Sequence, residues 1–352
     1  MMRHGRLWVE GLRPRTLPAS VAPVAVGAAA AWRLLTDMGS RVVAPPATGR
    51  SADSADAVLA WSAWPGATFR FFGAMVLCLA VALFLQIAVN FANDYSDGIR
   101  GTDGDRGGDE SRSGKPQRLT ASGLVEPQSV LLAAGVAAAV ACVCGLAVAA
   151  VSHQYWIVLV GVCCLLAGWF YTGGSHPYGY AGWGEWFVFL FFGLVATLGT
   201  QFVIVHTVMI GHPSGFPDPG HALGVDWAGL LAAACSGWYA VLVLMVNNLR
   251  DVEEDDMSGK RTLAVRLGAS RARALLQFGT VGGAVATLAL AVTLWTPWGA
   301  LIWLPLVPAS VSTMRAVHAG DFPRSLGAAG RQLLLFAVVM VISAGCAAIA
   351  AF

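Results

Sequence analysis

Charge is what this sequence has least of. Of its 352 residues only 12% are Asp, Glu, Lys or Arg, while 57% are apolar and the mean hydropathy is +0.65. Soluble globular domains carry about 25% charged residues. Two soluble domains of this combined length would lack the charged groups to cover their surface. The same scarcity, with a net charge of only +2, excludes a nucleic-acid binder and a disordered chain. Cysteine is sparse too. The seven (Cys78, Cys142, Cys144, Cys163, Cys164, Cys235, Cys346) lie in apolar stretches, with no zinc-finger spacing and no disulfide framework, so they read as small core residues. A small-residue cleavage site behind an ordinary signal core is also missing, so the first long apolar run is expected to stay as a membrane helix. What remains is an all-α polytopic membrane helix bundle, read as one integral-membrane domain over residues 1–352.

A spanning helix needs about 20 mostly apolar residues. Stretches at 17–35, 69–91, 127–151, 154–171, 185–210, 227–248, 274–295, 297–316 and 332–352 qualify, which predicts nine spans. With a cytoplasmic N-terminus, eighteen of the 22 Lys and Arg fall on cytoplasmic segments, leaving Arg33, Arg41, Arg50 and Arg70 on the other side. That asymmetry follows the positive-inside rule. Residues 36–68 and 211–226 become external loops, and 92–126 and 249–273 cytoplasmic ones. The external loops hold no defensible chemical constellation; His212 and His221 could together bind a metal, but their spacing favours a solvated Gly/Pro-rich loop.

Eleven of the 20 acidic residues fall in two short windows, Asp94 to Glu110 and Asp251 to Asp256. Each follows directly on a hydrophobic span, and the four spans between them return the chain to the same face. On a helix, Asn90, Asp94 and Asp97 fall within about 60° of one another, as do Asn247, Asp251 and Asp255. Gly98 and Gly101 are expected to end the first of these helices. Carboxylates stacked one turn apart repel, and Asp and Asn oxygens are hard-ion ligands, which points to Mg²⁺. Mg²⁺ prefers one or two carboxylates plus phosphate oxygens, so two facing clusters suit metals bridging a diphosphate. Lys115 and Arg118 follow the first window, Lys260 and Arg261 the second, placed to neutralise a leaving pyrophosphate. Arg266, Arg271 and Arg273 need no more than the charge bias to explain them.

A diphosphate site at the mouth of a membrane bundle suits a substrate whose tail lives in lipid, a polyprenyl diphosphate. Its ionisation yields an allylic cation, which needs an electron-rich acceptor and a dry, aromatic-lined cavity. The 13 Trp, 16 Phe and 6 Tyr can supply such walls.

These residues also carry a family resemblance. NDYSD (Asn93 to Asp97) and DVEED (Asp251 to Asp255) resemble the two signatures of the UbiA superfamily of intramembrane prenyltransferases. The likeness is closest to its branch acting on 1,4-dihydroxy-2-naphthoate in menaquinone biosynthesis. It extends through RPRTLPASVAPVAVG (Arg13 to Gly27), NFANDYSDGIRGTD (Asn90 to Asp103), YTGGSHPYGYAGWGE (Tyr171 to Glu185), FFGLVATLGTQFV (Phe191 to Val203) and NNLRDVEEDDMSGKRTLAVRLG (Asn247 to Gly268). The resemblance implies a nine-helix bundle in a bacterial plasma membrane whose polar cavity opens at the cytoplasmic face. It implies transfer of a polyprenyl group to 1,4-dihydroxy-2-naphthoate, with loss of CO₂ and pyrophosphate, to give demethylmenaquinol. Carried over, Asn90, Asp94 and Asp97 match the first metal–diphosphate signature, Asp251 and Asp255 the second, and Lys260 and Arg261 the GKRT segment at the diphosphate. The loops 36–68 and 211–226 are longer than this family needs.

For the acceptor, Arg15, Asn248, Tyr171, Tyr178 and Tyr180 are candidates, the tyrosines also suiting interfacial anchoring. Thr200, Gln201 and His206 are intramembrane polar groups, though a neutral His can simply bond a neighbouring helix. Glu185 reads as an acid complementing the dipole of its helix N-terminus. Prenylation of 4-hydroxybenzoate, homogentisate or another ring is the nearest rival. A cation transporter with paired aspartates is the other, but transporters place acids near the bilayer midplane and have no use for GKRT beside them.

Overall fold

The computed structural model describes residues 4–43, 61–62, 65–102, 117–210, 224–295 and 298–349, and these form helices and connecting turns. A short α1 (His4–Gly11) precedes the long helices α2 (Pro18–Val43), α3 (Ala67–Ile99), α4 (Pro127–Ser152), α5 (Ile157–Thr172), α6 (Gly184–Met209) and α7 (Trp227–Arg250). Two short helices, α8 (Val252–Met257) and α9 (Leu263–Leu267), lead into α10 (Ala269–Leu290), α11 (Gly299–Trp303), α12 (Leu306–His318) and α13 (Phe322–Ile349). Counting α11 and α12 as one, eight helices among the described residues are long and apolar enough to cross a membrane.

Local chemistry sets several of the ends. Pro18 and Pro127 open α2 and α4, where a missing N–H costs nothing. Asp226 caps α7 by accepting the Gly229 N–H at 2.9 Å, and its other oxygen takes Arg33 of α2 at 2.8 Å. At 33 residues α3 is about 50 Å long, against about 30 Å of hydrocarbon. The surplus is several turns, enough for its final turns, carrying Asn90 to Asp97, to be held by protein instead of lipid.

The centre of the bundle is α2, α7 and α13. Ala22, Val26 and Ala29 meet Tyr239, Leu242 and Val246, and Leu333, Phe336 and Met340 close the other side. A second cluster joins Leu34, Leu35 and Met38 to Trp61, Phe71 and Ile204. Phe69, Leu132, Leu159 and Phe278 point outward and exposed, as lipid-facing residues should. Apolar burial gains little between helices already in lipid, so close approach and polar pairs hold them together. At Gly193 a Cβ would come within 2.5 Å of the Gly237 Cα, so α6 and α7 touch backbone to backbone. Gln332 donates to Ser310 at 2.8 Å, and Tyr239 and Thr287 share a hydrogen bond of 3.1 Å.

Several expected boundaries move. Residues 36–43, assigned to an external loop, continue α2, because Met38 packs in the Trp61 cluster. Residues 92–99, assigned to a cytoplasmic loop, are the last turns of α3, largely buried. The fourth expected span, α5, has 16 residues, short of the usual length. The eighth breaks between Trp303 and Leu306, around Pro305, and the ninth starts ten residues early at Phe322. The remainder of the 36–68 loop (apart from Trp61, Ser62 and 65–68) and residues 211–223, with His212 and His221, lie outside the described residues. So do residues 103–116.

Candidate active site

A cavity of about 1430 Å³ runs down the bundle between α3, α4, α5, α6 and α7, larger than an ordinary ligand pocket. Its lower walls are apolar, including Val81, Leu85, Val162, Phe191 and Leu198, and reach Trp156 and Phe202. Its mouth is polar. Asn90, Asn93 and Asp97 from α3 line it, with Asn247, Asn248, Arg250, Asp251 and Asp255 from the end of α7 and the start of α8.

Lys260 stands between the two acidic signatures. Its ammonium is 3.8 Å from a carboxylate oxygen of Asp97 and 3.8 Å from one of Asp255, and it lies 4.9 Å from the centre of the Tyr180 ring. The Tyr180 hydroxyl donates to the other oxygen of Asp97, and Thr102 donates to the Asp97 carbonyl at 3.1 Å. Arg250 holds Asp251 with two bonds, 2.7 and 2.5 Å. Burial pushes the Asp255 carboxyl up to about 7, against the pull of Lys260 and aided by Asp251, Asp97 and Glu254. Burial and the Asp97 charge push the Tyr180 phenol up as well. Burial, more than neighbouring charge, thus disfavours the ionised Asp255 carboxylate, and a divalent cation bound beside it would favour that form.

Among the described residues no three His, Cys, Asp or Glu side chains converge to hold an ion alone. Mg²⁺ nonetheless fits the donor set, since it needs one or two carboxylates and takes the rest from phosphate and water. Asp97 on one wall, and Asp255 with Asp251 on the other, would offer such carboxylates; Asn93 lines the cavity beside Asp97, its amide oxygen accepting from Thr172 at 2.8 Å.

The other expected ligands go elsewhere. Asp94 does not line the cavity. It is 2% exposed, and its oxygens accept the backbone N–H groups of Leu119 at 3.1 Å and Thr120 at 2.8 Å. Asn90 reaches the cavity wall, but its amide nitrogen donates to the Leu12 carbonyl at 2.8 Å and its oxygen accepts from Gln86 at 2.9 Å. Helical phase explains Asp94, which sits about 60° around from Asp97 and about 100° from Asn93; Asn90 is only about 20° from Asp97 and is engaged instead by its neighbours Gln86 and Leu12. Asn93, not among the expected ligands, has the same i, i+4 spacing to Asp97 that Asn90 has to Asp94, and it lines the cavity with Asp97. Arg118 and Arg15 line the cavity. Arg261 does not; its exposed guanidinium pairs with Asp256 at 3.0 Å, while its backbone N–H donates to the Tyr180 carbonyl at 2.8 Å. Lys115 lies outside the described residues.

Of the acceptor candidates, Tyr171, Tyr178, Tyr180 and Asn248 all line the cavity. Tyr180 serves Asp97. Tyr178 gives its hydroxyl to the Ala167 carbonyl at 2.8 Å and stacks on Phe187 with ring centres 4.0 Å apart. Glu185, expected to do no more than complement a dipole, is buried and accepts from Asn248 at 2.8 Å. Gln201 donates to Asp226 at 2.9 Å and His206 bonds the Phe202 carbonyl at 2.9 Å, both structural contacts. Thr200 bonds its own helix at Ala196, although it also lines the cavity.

Fold and site together define a polytopic helical membrane protein with two acidic signatures at the mouth of a long apolar cavity. The chain belongs to the UbiA prenyltransferase family, whose model matches residues 55–336. It is 40% identical over 336 residues to a 1,4-dihydroxy-2-naphthoate octaprenyltransferase of Mycobacterium leprae, covering 96% of this chain and 94% of that one. The corresponding Mycobacterium tuberculosis enzyme is 41% identical over 320 residues, covering 91% and 88%. A solved UbiA homolog from Archaeoglobus fulgidus, bound to GPP and Mg²⁺, has the same fold at 12% identity, with a TM-score of 0.53 over 96% of this chain and 99% of that one.

Proposed function

We propose that the protein transfers a polyprenyl group from polyprenyl diphosphate to 1,4-dihydroxy-2-naphthoate, releasing pyrophosphate and CO₂ and giving demethylmenaquinol. The observation that carries this reading is the convergence of Asp97 and Asp255 on Lys260 at the mouth of a largely apolar cavity of about 1430 Å³. The substrate follows from near full-length similarity to enzymes described as acting on that naphthoate.

Asp97 on one wall, and Asp251 and Asp255 on the other, would hold Mg²⁺, which when bound polarises the diphosphate oxygens. Lys260, with Arg118 from the facing segment, binds the diphosphate and carries the charge that builds on it as the C–O bond to the prenyl chain breaks. The apolar walls keep water from the allylic cation. A ring carbon of the naphthoate supplies the electron pair of the new C–C bond. The bond to its carboxylate then breaks, CO₂ leaves, and that pair restores the aromatic ring. Arg15 at the mouth pairs with the acceptor carboxylate before it leaves.

The same placement bears on topology. Asp97 ends α3 and Asp255 follows α7, and both reach one ammonium. An even number of crossings must separate them, which α4, α6 and α7 provide only if the short α5 also crosses. That supports nine crossings. With the Lys and Arg asymmetry, it supports a cytoplasmic N-terminus and a mouth open to the cytoplasm of a bacterial plasma membrane.

Membranes containing the protein, given labelled polyprenyl diphosphate and Mg²⁺, are expected to label 1,4-dihydroxy-2-naphthoate, and chelation to abolish transfer. Label passing instead to 4-hydroxybenzoate or homogentisate offered alongside would overturn the acceptor. Cation flux without transfer would favour a transporter.

A further inference from the structure

Behind the cavity wall, at the α6–α7 contact, lies a carboxyl that the transfer chemistry above does not use. Glu185, in the first turn of α6, is 6% exposed. One oxygen accepts the amide N–H of Asn248 at 2.8 Å, and the other is buried with no hydrogen-bond partner among the described residues. Half-satisfied buried carboxyls are costly. Their survival calls for a role that packing alone does not supply.

A carboxylate only accepts hydrogen bonds, so the partner that meets it must be the NH₂ group of Asn248. Glu185 itself does not line the cavity, whereas Asn248 does. With its nitrogen turned back to Glu185, Asn248 is left with its amide oxygen for the cavity, as an acceptor. Beside it stands an aromatic wall. The Tyr171 ring packs against Gly184 and meets Tyr178 edge-on at 5.5 Å, and Tyr178 stacks on Phe187. A cavity wall of aromatic rings carrying a fixed hydrogen-bond acceptor suits an aromatic ring bearing a hydroxyl.

We propose that Glu185 is a positioning residue that sets the Asn248 amide so that its oxygen accepts a ring hydroxyl of the acceptor. This rests on the prenyl-transfer reading above. The hydroxyl keeps its proton; the hydrogen bond draws on it and leaves more electron density on the ring carbon that attacks. Asn248 thereby selects a hydroxylated ring, and its place in the wall sets the ring's orientation relative to Asp97 and Asp255.

The test is steady-state kinetics on the full-length protein in detergent or membranes, varying each substrate while the other is saturating. Glu185→Leu is expected to raise KM for the naphthoate about tenfold and to leave KM for polyprenyl diphosphate within about twofold. Glu185→Gln, whose carbonyl can take the same bond, should lose far less. Asn248→Asp sets two carboxyls face to face and should lose most activity, and Glu185→Gln/Asn248→Asp should recover at least about fivefold of it. In that double variant the new amide donates from α6, and the new carboxylate on α7 still offers the cavity an oxygen. An unchanged naphthoate KM in Glu185→Leu overturns the proposal, as does a double variant no better than Asn248→Asp alone. The double variant decides the matter where Glu185→Leu fails to accumulate. Wild-type protein that prenylates no naphthoate overturns the transfer reading and this one with it, a result distinct from an unaffected Glu185→Leu.

Discussion

The carboxylate of Asp94 accepts the backbone N–H of Thr120 at 2.8 Å. That bond ties the end of α3 to the segment carrying Arg118 into the cavity. Its second oxygen holds Leu119, so the whole carboxylate serves the loop.

Asp94→Ala strands two buried N–H groups, each costing about 1–3 kcal/mol. It should lower the thermal unfolding temperature and reduce activity through a displaced Arg118, while the Mg²⁺ concentration for half-maximal rate stays put. Asp97→Ala should do the reverse, keeping most stability and raising the Mg²⁺ requirement or abolishing transfer. Metal titrations of both variants beside thermal melts check this. A raised Mg²⁺ requirement in Asp94→Ala at unchanged stability would return Asp94 to the metal site.

Lys260→Met removes the cation that lies within 4 Å of both Asp97 and Asp255. Developing charge on the leaving pyrophosphate loses a preorganised partner, a loss of about 10²–10³ in kcat by analogy with other transition-state donors. Single-turnover rates, which isolate the chemical step, are the measurement.

Arg261→Ala should change little. The Arg261 side chain is 64% exposed and paired with an Asp256 side chain that is 59% exposed, and exposed pairs contribute about 0–1 kcal/mol. Transfer rates within about threefold of wild type are expected. A loss comparable with Lys260→Met would mean that Arg261 turns inward when substrate binds.

Gly98→Val would place a Cβ 2.4 Å from the Thr120 methyl carbon and 3.2 Å from the Ala121 nitrogen. Since the loop is clamped by Asp94, it cannot simply yield, and overpacking of this kind costs about 1–3 kcal/mol. The unfolding temperature should fall and Arg118 should shift with it. Limited proteolysis within residues 117–126, faster than in wild type, reads the second effect.

Much of the architecture was legible in advance because a bilayer imposes a crude rule. A backbone in lipid must satisfy its own hydrogen bonds, so apolar runs of span length become helices. Eight of the nine expected runs correspond to helices of crossing length, and the ninth to the short α5. Boundaries are less legible wherever a helix outlasts its hydropathy. The last turns of α3 carry Asn90 to Asp97, polar residues buried by neighbouring protein rather than by lipid, and composition alone cannot distinguish that from a loop.

For the site, residue types and spacing were enough to say that two acidic windows share one face and that their oxygens suit Mg²⁺ and a diphosphate. Both follow from local chain geometry and ligand hardness, which need no neighbours. Which carboxylates meet across the mouth is a different matter. Asp94 and Asp97 sit on one helical stripe, yet a modest difference in helical phase turns one to a loop and the other to the cavity. Arg261 and Lys260 are adjacent in the chain, yet one pairs with Asp256 at the surface and the other spans the two signatures. Glu185 reads as a helix-end acid until Asn248, 63 residues later, is placed beside it. These assignments depend on packing between helices distant in sequence, and only the assembled bundle brings such partners within hydrogen-bonding distance.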